Sequence, residues 1–218
     1  MSVFSIDWTK YRLVDLSYEV IPGASQDRYF ELKHDLLADQ ATMYHVRTHS
    51  HVGTHVEVDA HFFDGGRDVT GYPLSAFHGR ALLLDVPDVA ATPHVGVAYL
   101  EQELGALIGE GDIIICRNSD PESLAGRRPR PTLTPEAGRW FAEHQVKMIG
   151  IDTHFGLGKD IPSGRALHDV FMGAGGTLIE FLDHLDLLRR KEFYFIALPY
   201  LVRDMDSSWT RAVAIEEK

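Results

Sequence analysis

Four stretches of the chain are apolar runs, rich in β-branched residues and short enough for strands: ALLLDV (81–86), DIIIC (112–116), VKMIGID (146–152) and FYFIALP (193–199). Between them the apolar positions take up helical spacing. VAYLEQELGALI (97–108) puts Leu100, Leu104 and Leu107 on one stripe and leaves through GEGD. TPEAGRWFAEHQ (134–145) opens with Thr134 as N-cap and Pro135 at the first helical position, where a missing N–H does no harm. The alternation predicts an α/β fold with a mixed, partly parallel sheet and flanking helices, with a first half richer in strands and irregular connections. SDPESLAGRRPRPTLTP (119–135), with its prolines and charges, reads as a surface excursion within one domain spanning 1–218.

One stretch has a different character. From His51 to His61 the chain reads HVGTHVEVDAH, so that His51, Gly53, His55, Glu57, Asp59 and His61 alternate with Val52, Thr54, Val56, Val58 and Ala60. Period two predicts a strand with one core-facing side and one side dense in metal-binding groups. On a flat strand, residues four apart lie ~13 Å from each other, too far for two imidazoles to meet one ion. Gly53 is therefore expected to bend the chain and let His51 and His55 converge, with Glu57 sharing the face of His55. A helix would also pair His51 with His55, but the β-branched residues argue against one. Imidazole and carboxylate donors suit Zn²⁺, Mn²⁺ or Fe²⁺, and a site without partner thiolates points to an open, catalytic metal rather than a closed structural one.

Composition narrows the remaining classes. The chain has 218 residues, 44% of them hydrophobic, which suits one substantial core. Its net charge of −11 would repel a phosphate backbone, so nucleic acid is not an expected partner. Cys116 is the single cysteine, which excludes a disulfide framework and suits a buried, inert thiol. MSVFSIDWTK has neither a basic nor an apolar leader region, and no apolar run approaches the ~20 residues of a membrane span. A cytoplasmic protein without a membrane partner is expected.

HVGTHVEVDAHF resembles the H-x-G-T-H-x-D-x-P-x-H-F signature of the cyclase-like metal-dependent hydrolases, the family of bacterial kynurenine formamidase and isatin hydrolase. Five of the seven fixed letters before the final Phe match, as does that Phe. VDLSYEV (14–20), AFHGRALLLDV (76–86) and EFYFIALPYLVRDMDSSWTRAVAI (192–215) resemble the family's opening strand, the strand after its motif and its closing segment. The resemblance implies a kynurenine-formamidase-like, swivelling β/β/α fold and one or two divalent ions, Zn or Mn, bound by His51, His55 and Glu57. His168 and Glu180, twelve residues apart, would complete a second metal position, and His61 would transfer protons. It also implies a homo-oligomer, dimer or tetramer.

Two letters depart from the signature. Glu57 stands where the family has Asp, one methylene longer, and Asp59 stands where it has Pro, adding a charge able to bias the metal, raise a neighbouring pKa or repel an anionic substrate. IDTHFGLGKD (151–160) differs from the family's IDTPSVD-like loop, and His154, just past a predicted strand end, is expected in a pocket. The function expected is hydrolysis of a C–N amide bond in a small aryl or cyclic substrate, by attack of a metal-bound hydroxide. Alternatives are a cyclase or lyase acting on a small carbonyl compound, and a metal-dependent binding protein without turnover.

Overall fold

The four apolar runs read as strands all form strands, whereas the strand expected over His51–His61 is confined to His55–Glu57. The computed structural model describes residues 6–218; the first half of MSVFSIDWTK, read above for a leader, lies outside the described residues. In chain order the elements are β1 (Tyr11–Asp15), β2 (Phe30–Leu36), β3 (Thr42–Thr48), β4 (His55–Glu57), β5 (His78–Val86), β6 (His94–Val95), α1 (Val97–Leu104), β7 (Ile113–Asn118) and α2 (Pro121–Leu124). They continue with β8 (Thr132–Leu133), α3 (Pro135–Glu143), β9 (Met148–Asp152), β10 (Gly156–Leu157), α4 (Ile161–Gly173), β11 (Thr177–Leu182), β12 (Glu192–Ile196), β13 (Ser207–Trp209) and β14 (Val213–Glu217).

Among the described residues, nine strands form one mixed sheet in the order β1-β14-β12-β5-β7-β9-β11-β4-β13. Its centre, β5, β7, β9 and β11, is parallel, and both wings are antiparallel. A bridge between Ser17, just beyond β1, and Leu182 of β11 shows that the sheet curls back on itself. The curl explains the sequence pattern. Leu82, Leu84, Ile114, Cys116 and Ile149 face α1, α3 and α4, whereas Ala81, Leu83, Ile113, Ile115 and Met148 face the inside of the curl. Strands covered on both faces read as unbroken apolar runs. The antiparallel β12 instead alternates, with Phe193 and Phe195 buried and Tyr194 43% exposed.

Thr134 caps α3 by accepting from the Ala137 amide at 3.2 Å, with Pro135 beside it in the first turn. Helix α1 keeps Leu100 and Leu104 in the core but ends at Gly105, so Leu107 falls beyond it and is 43% exposed. The predicted stripe was one turn too long. No described helix is long and apolar enough to cross a membrane. The hairpin β2–β3 pairs with neither wing of the large sheet and exposes Leu32, Leu36, Tyr44 and Val46.

Candidate metal centre

The chain reaches the centre through a bend at Gly53, whose φ of +65° lies in the left-handed region. A side chain there would be strained, and a Cβ would stand 2.4 Å from Val20 Cγ2. The bend brings His51 back over His55: their rings lie 4.9 Å apart, and His51 Nδ1 is 3.1 Å from His55 Nε2. Glu57 Oε1 completes a triangle, 2.8 Å from His51 Nδ1 and 3.3 Å from His55 Nε2. His55 and Glu57 point toward the helical side of the sheet, because Val56 and Val58 fill the inside of the curl. Glu180 faces His55 across the β4–β11 ladder. Two groups of donor atoms, His51–Glu57–His61 and His55–Glu57–Glu180, each lie within 4.8 Å of one another.

The alternation expected through His61 stops at Glu57. The chain turns into a short 3-10 helix over Asp59–His61, closed by the His61 amide donating to the Val58 carbonyl at 2.9 Å. His61 thus arrives by a turn rather than by parity, with Nε2 3.9 Å from Glu57 Oε1. Asp59 is carried away: it accepts from Arg67 Nε at 3.2 Å and belongs to neither donor group. Its charge is therefore balanced by Arg67.

His168 lies on the buried stripe of α4, its ring 4.5 Å from that of Phe62, and is outside both donor groups. His154 lines a cavity of about 520 Å³ with Asp152, Asn118 and His184, where β7, β9 and β11 end. None of the residues expected to bind metal lines this cavity.

Asp206, not singled out in the sequence, holds the centre together. Its Oδ2 accepts from His51 Nε2 and from His61 Nδ1, each at 2.8 Å, and its Oδ1 accepts from Ser50 at 3.1 Å. No spacing rule links it to His51, 155 residues away. Its only signal was a carboxylate in the polar stretch RDMDSSWT of the closing segment. Arg28 was likewise missed: it donates to the His51 carbonyl at 2.5 Å and lies 4.4 Å over the Phe181 ring.

Carbonyls and carboxylates only accept, so these contacts fix each imidazole. His55 Nδ1 donates to the Gly53 carbonyl at 2.8 Å and His168 Nδ1 to the Gly164 carbonyl at 2.6 Å. His61 is anchored on Asp206, so these three histidines direct their second nitrogen away from the anchor, whereas His51 lies between two carboxylates, Asp206 at Nε2 and Glu57 at Nδ1. Burial opposes a charge on His51, but Glu57 and Asp206 push its pKa up to about 9. Burial also opposes ionisation of Glu57, yet hydrogen bonds from His51 and His55 hold it well below the usual carboxylate range. Burial and the charge of Glu57 push Glu180 up to about 7, while burial lowers His168.

These residues fit a divalent cation. Two fixed imidazole nitrogens and a carboxylate oxygen meet within 3.3 Å. Glu57 Oε2 is buried without a partner, and the Glu180 carboxyl makes no hydrogen bond among the described residues. The donor set is of the kind that binds zinc or manganese.

The family model for Cyclase, described as "Putative cyclase", matches residues 14–155, more than half the chain. The chain belongs to the cyclase family. This cyclase-family chain is 25% identical over 169 residues to the kynurenine formamidase of Bacillus cereus, covering 75% of each sequence. Its fold is shared with isatin hydrolase A from Labrenzia aggregata, at a TM-score of 0.75 and 21% identity, over 95% of this chain and 94% of that one. It is shared too with a chain described as a predicted metal-dependent hydrolase from Bacillus stearothermophilus, at a TM-score of 0.72 and 19% identity, over 94% and 98%.

Asp152, beside His154, carries a test of its own. Burial pushes its pKa up to about 6, against an ordinary 3.8. Between about pH 4 and pH 6 the folded chain keeps a proton that the unfolded chain has released, so this group's contribution to stability falls as pH rises through that window. Asp152→Asn is expected to stabilise the protein by up to about 3 kcal/mol at pH 7.5 and by little at pH 4. Denaturant titrations at the two pH values check this. An Asn variant that is less stable at pH 7.5 would refute it.

Proposed function

We propose that this cyclase-family protein is a metal-dependent hydrolase that opens a C–N amide bond in a small aryl or cyclic amide. The convergence of His51 Nδ1, His55 Nε2 and Glu57 Oε1 carries the proposal. His51, His55 and Glu57 would hold the ion, with Glu180 beside them and His168 one layer out toward α4. When bound, zinc or manganese lowers the pKa of water toward neutrality and polarises a carbonyl.

The chain's own residues supply the rest. Asp206 holds His61 Nδ1–H, which leaves Nε2 free to take a proton from the attacking water and return it to the departing nitrogen. Phe62, its ring 4.3 Å from that of His61, begins an open cleft of about 630 Å³ that continues to His168 and α4. An aromatic substrate would stack there with its carbonyl toward His61. Formanilides, isatins, lactams and small esters, assayed after chelation and again with added Zn²⁺ or Mn²⁺, test the activity. Turnover of none of them, with metal bound, would refute it.

The longer carboxylate at position 57 gives a second test. Glu57→Asp shortens the side chain by one methylene, while metal–ligand distances hold to about 0.2 Å. It is expected to stay folded and to change metal stoichiometry or the preference between zinc and manganese. Identical titrations for the two proteins would refute this.

We also propose a homo-oligomer. A two-stranded ribbon is marginal in water by itself, and β2–β3 presents Leu32, Leu36, Tyr44 and Val46, each 44–55% exposed. Sedimentation of the purified protein at micromolar concentration is expected to give a dimer or larger, and a monomer would refute it.

A further inference from the structure

Two neighbouring side chains of the sheet each carry a buried polar atom without a partner. Among the described residues neither Glu57 Oε2 nor Ser207 Oγ makes a hydrogen bond. The two residues stand opposite one another on β4 and β13 and are 3% and 0% exposed. The register sets how close they come. The Val58 amide donates to the Asp206 carbonyl and the Thr210 amide to the Thr54 carbonyl, each at 3.1 Å. In an antiparallel ladder hydrogen-bonded pairs alternate with non-hydrogen-bonded ones, so Asp206–Val58, Ser208–Val56 and Thr210–Thr54 are of the first kind. Ser207 and Glu57 are therefore of the second, closer kind, with Cα atoms about 4.5 Å apart and side chains on one face.

Glu57 has no other such neighbour. Across β11 it faces Leu178, which offers no donor. Its Oε1 is turned to His51 and His55, so Oε2 is the oxygen left over. A buried hydroxyl without a partner lowers stability, and a carboxylate that ligates an ion is as a rule hydrogen-bonded in turn. The hydroxyl turns on a single side-chain bond, so β13 need not move to bring it to Oε2. Asp206, one residue earlier, already holds His51 and His61. Trp209 is the rival donor, since its Nε1 is also buried and unpartnered. It stands opposite His55, however, and diagonal neighbours across a ladder lie about 7–8 Å apart.

We infer that Ser207 is a positioning residue of the metal centre, whose hydroxyl donates to Glu57 Oε2 and so keeps Oε1 turned to the imidazoles of His51 and His55. This rests on the reading of those three residues as the ion's donors. One strand, β13, then serves the whole donor set, with Asp206 orienting imidazoles and Ser207 the carboxylate.

Zn²⁺ affinity, measured by competition with a chromophoric chelator, tests the inference together with the unfolding temperature of the chelated protein. Ser207→Ala is expected to bind Zn²⁺ about 10–100-fold more weakly than the wild type. Once chelated, it should unfold at the wild-type temperature or above, because the replacement removes no hydrogen bond of the structure and relieves an unpaired hydroxyl. In Glu57→Ala, which keeps both imidazoles, adding Ser207→Ala should change affinity by less than about twofold, and Trp209→Phe alone should do no more. Wild-type affinity in Ser207→Ala overturns the inference, as does an undiminished loss in the Glu57→Ala background. A chelated Ser207→Ala that unfolds well below the wild type makes the serine structural and also overturns it. Loss of affinity in Trp209→Phe but not in Ser207→Ala gives the role to Trp209 instead. A wild type that takes up no Zn²⁺ refutes the three donors and this inference with them, whereas tight wild-type binding matched by Ser207→Ala refutes the inference alone.

Discussion

Purified His51→Ala/His55→Ala is expected to retain less than about a tenth of the divalent metal bound by the wild type, and no chelator-sensitive hydrolysis. The two imidazoles are two of the three donors that meet within 3.3 Å. Glu57 and Glu180, with the His61 nitrogen 3.9 Å out from Glu57, lack the two close imidazoles of the triangle and make a poorer tetrahedral site for zinc. Elemental analysis after dialysis against Zn²⁺ or Mn²⁺ measures the loss, and undiminished metal would sink the assignment. The double replacement also strands Glu57, which is only 3% exposed, as a buried carboxylate with reduced hydrogen bonding. Adding Glu57→Gln removes that charge. A folded triple variant without metal then separates loss of the site from loss of the fold.

His61→Ala is expected to keep most of the metal and to lose on the order of 10²–10⁴ in turnover, the usual contribution of a positioned acid or base. Its Nε2 is 3.9 Å from Glu57 Oε1, farther out than the donors of the central triangle. Its Nδ1–H is committed to Asp206 at 2.8 Å, which fixes the tautomer a proton carrier needs. Asp206→Asn keeps an acceptor but removes the negative charge shared by His51 and His61, so a smaller loss, about 10–100-fold, is expected. Metal loss in His61→Ala would make His61 a ligand, as its grouping with His51 and Glu57 allows. Unchanged turnover would make it a wall residue. Either outcome refutes the role.

What could be read from the sequence follows the range of each signal. The strands were visible because a sheet covered on both faces demands unbroken apolar runs, and Thr134 and Pro135 marked α3 through bonds made within four residues. Gly53 was visible because two histidines four apart cannot converge on a flat strand. The alternation misled beyond Glu57, since period two does not encode where a strand gives way to a 3-10 turn. Asp59 was placed beside the metal on that parity, whereas the turn delivers it to Arg67. Glu180 came from the resemblance, and its place opposite His55 follows from the β4–β11 register. Asp206 was out of reach, because a hydrogen bond spanning 155 residues leaves no local pattern.

That long-range stitching has a kinetic and thermodynamic consequence. β4 is held between β11 and β13, with Glu57 opposite both Leu178 and Ser207, so the donors assemble only when distant stretches have docked. Loop closure on this scale is paid for before the contacts that reward it form, which makes for slow folding. An ion that requires the finished arrangement binds the native state alone and stabilises it by mass action, about 4 kcal/mol at a thousandfold excess over its dissociation constant. Metal supply would therefore set the lifetime of the folded protein in a cell as well as the protein's catalytic state.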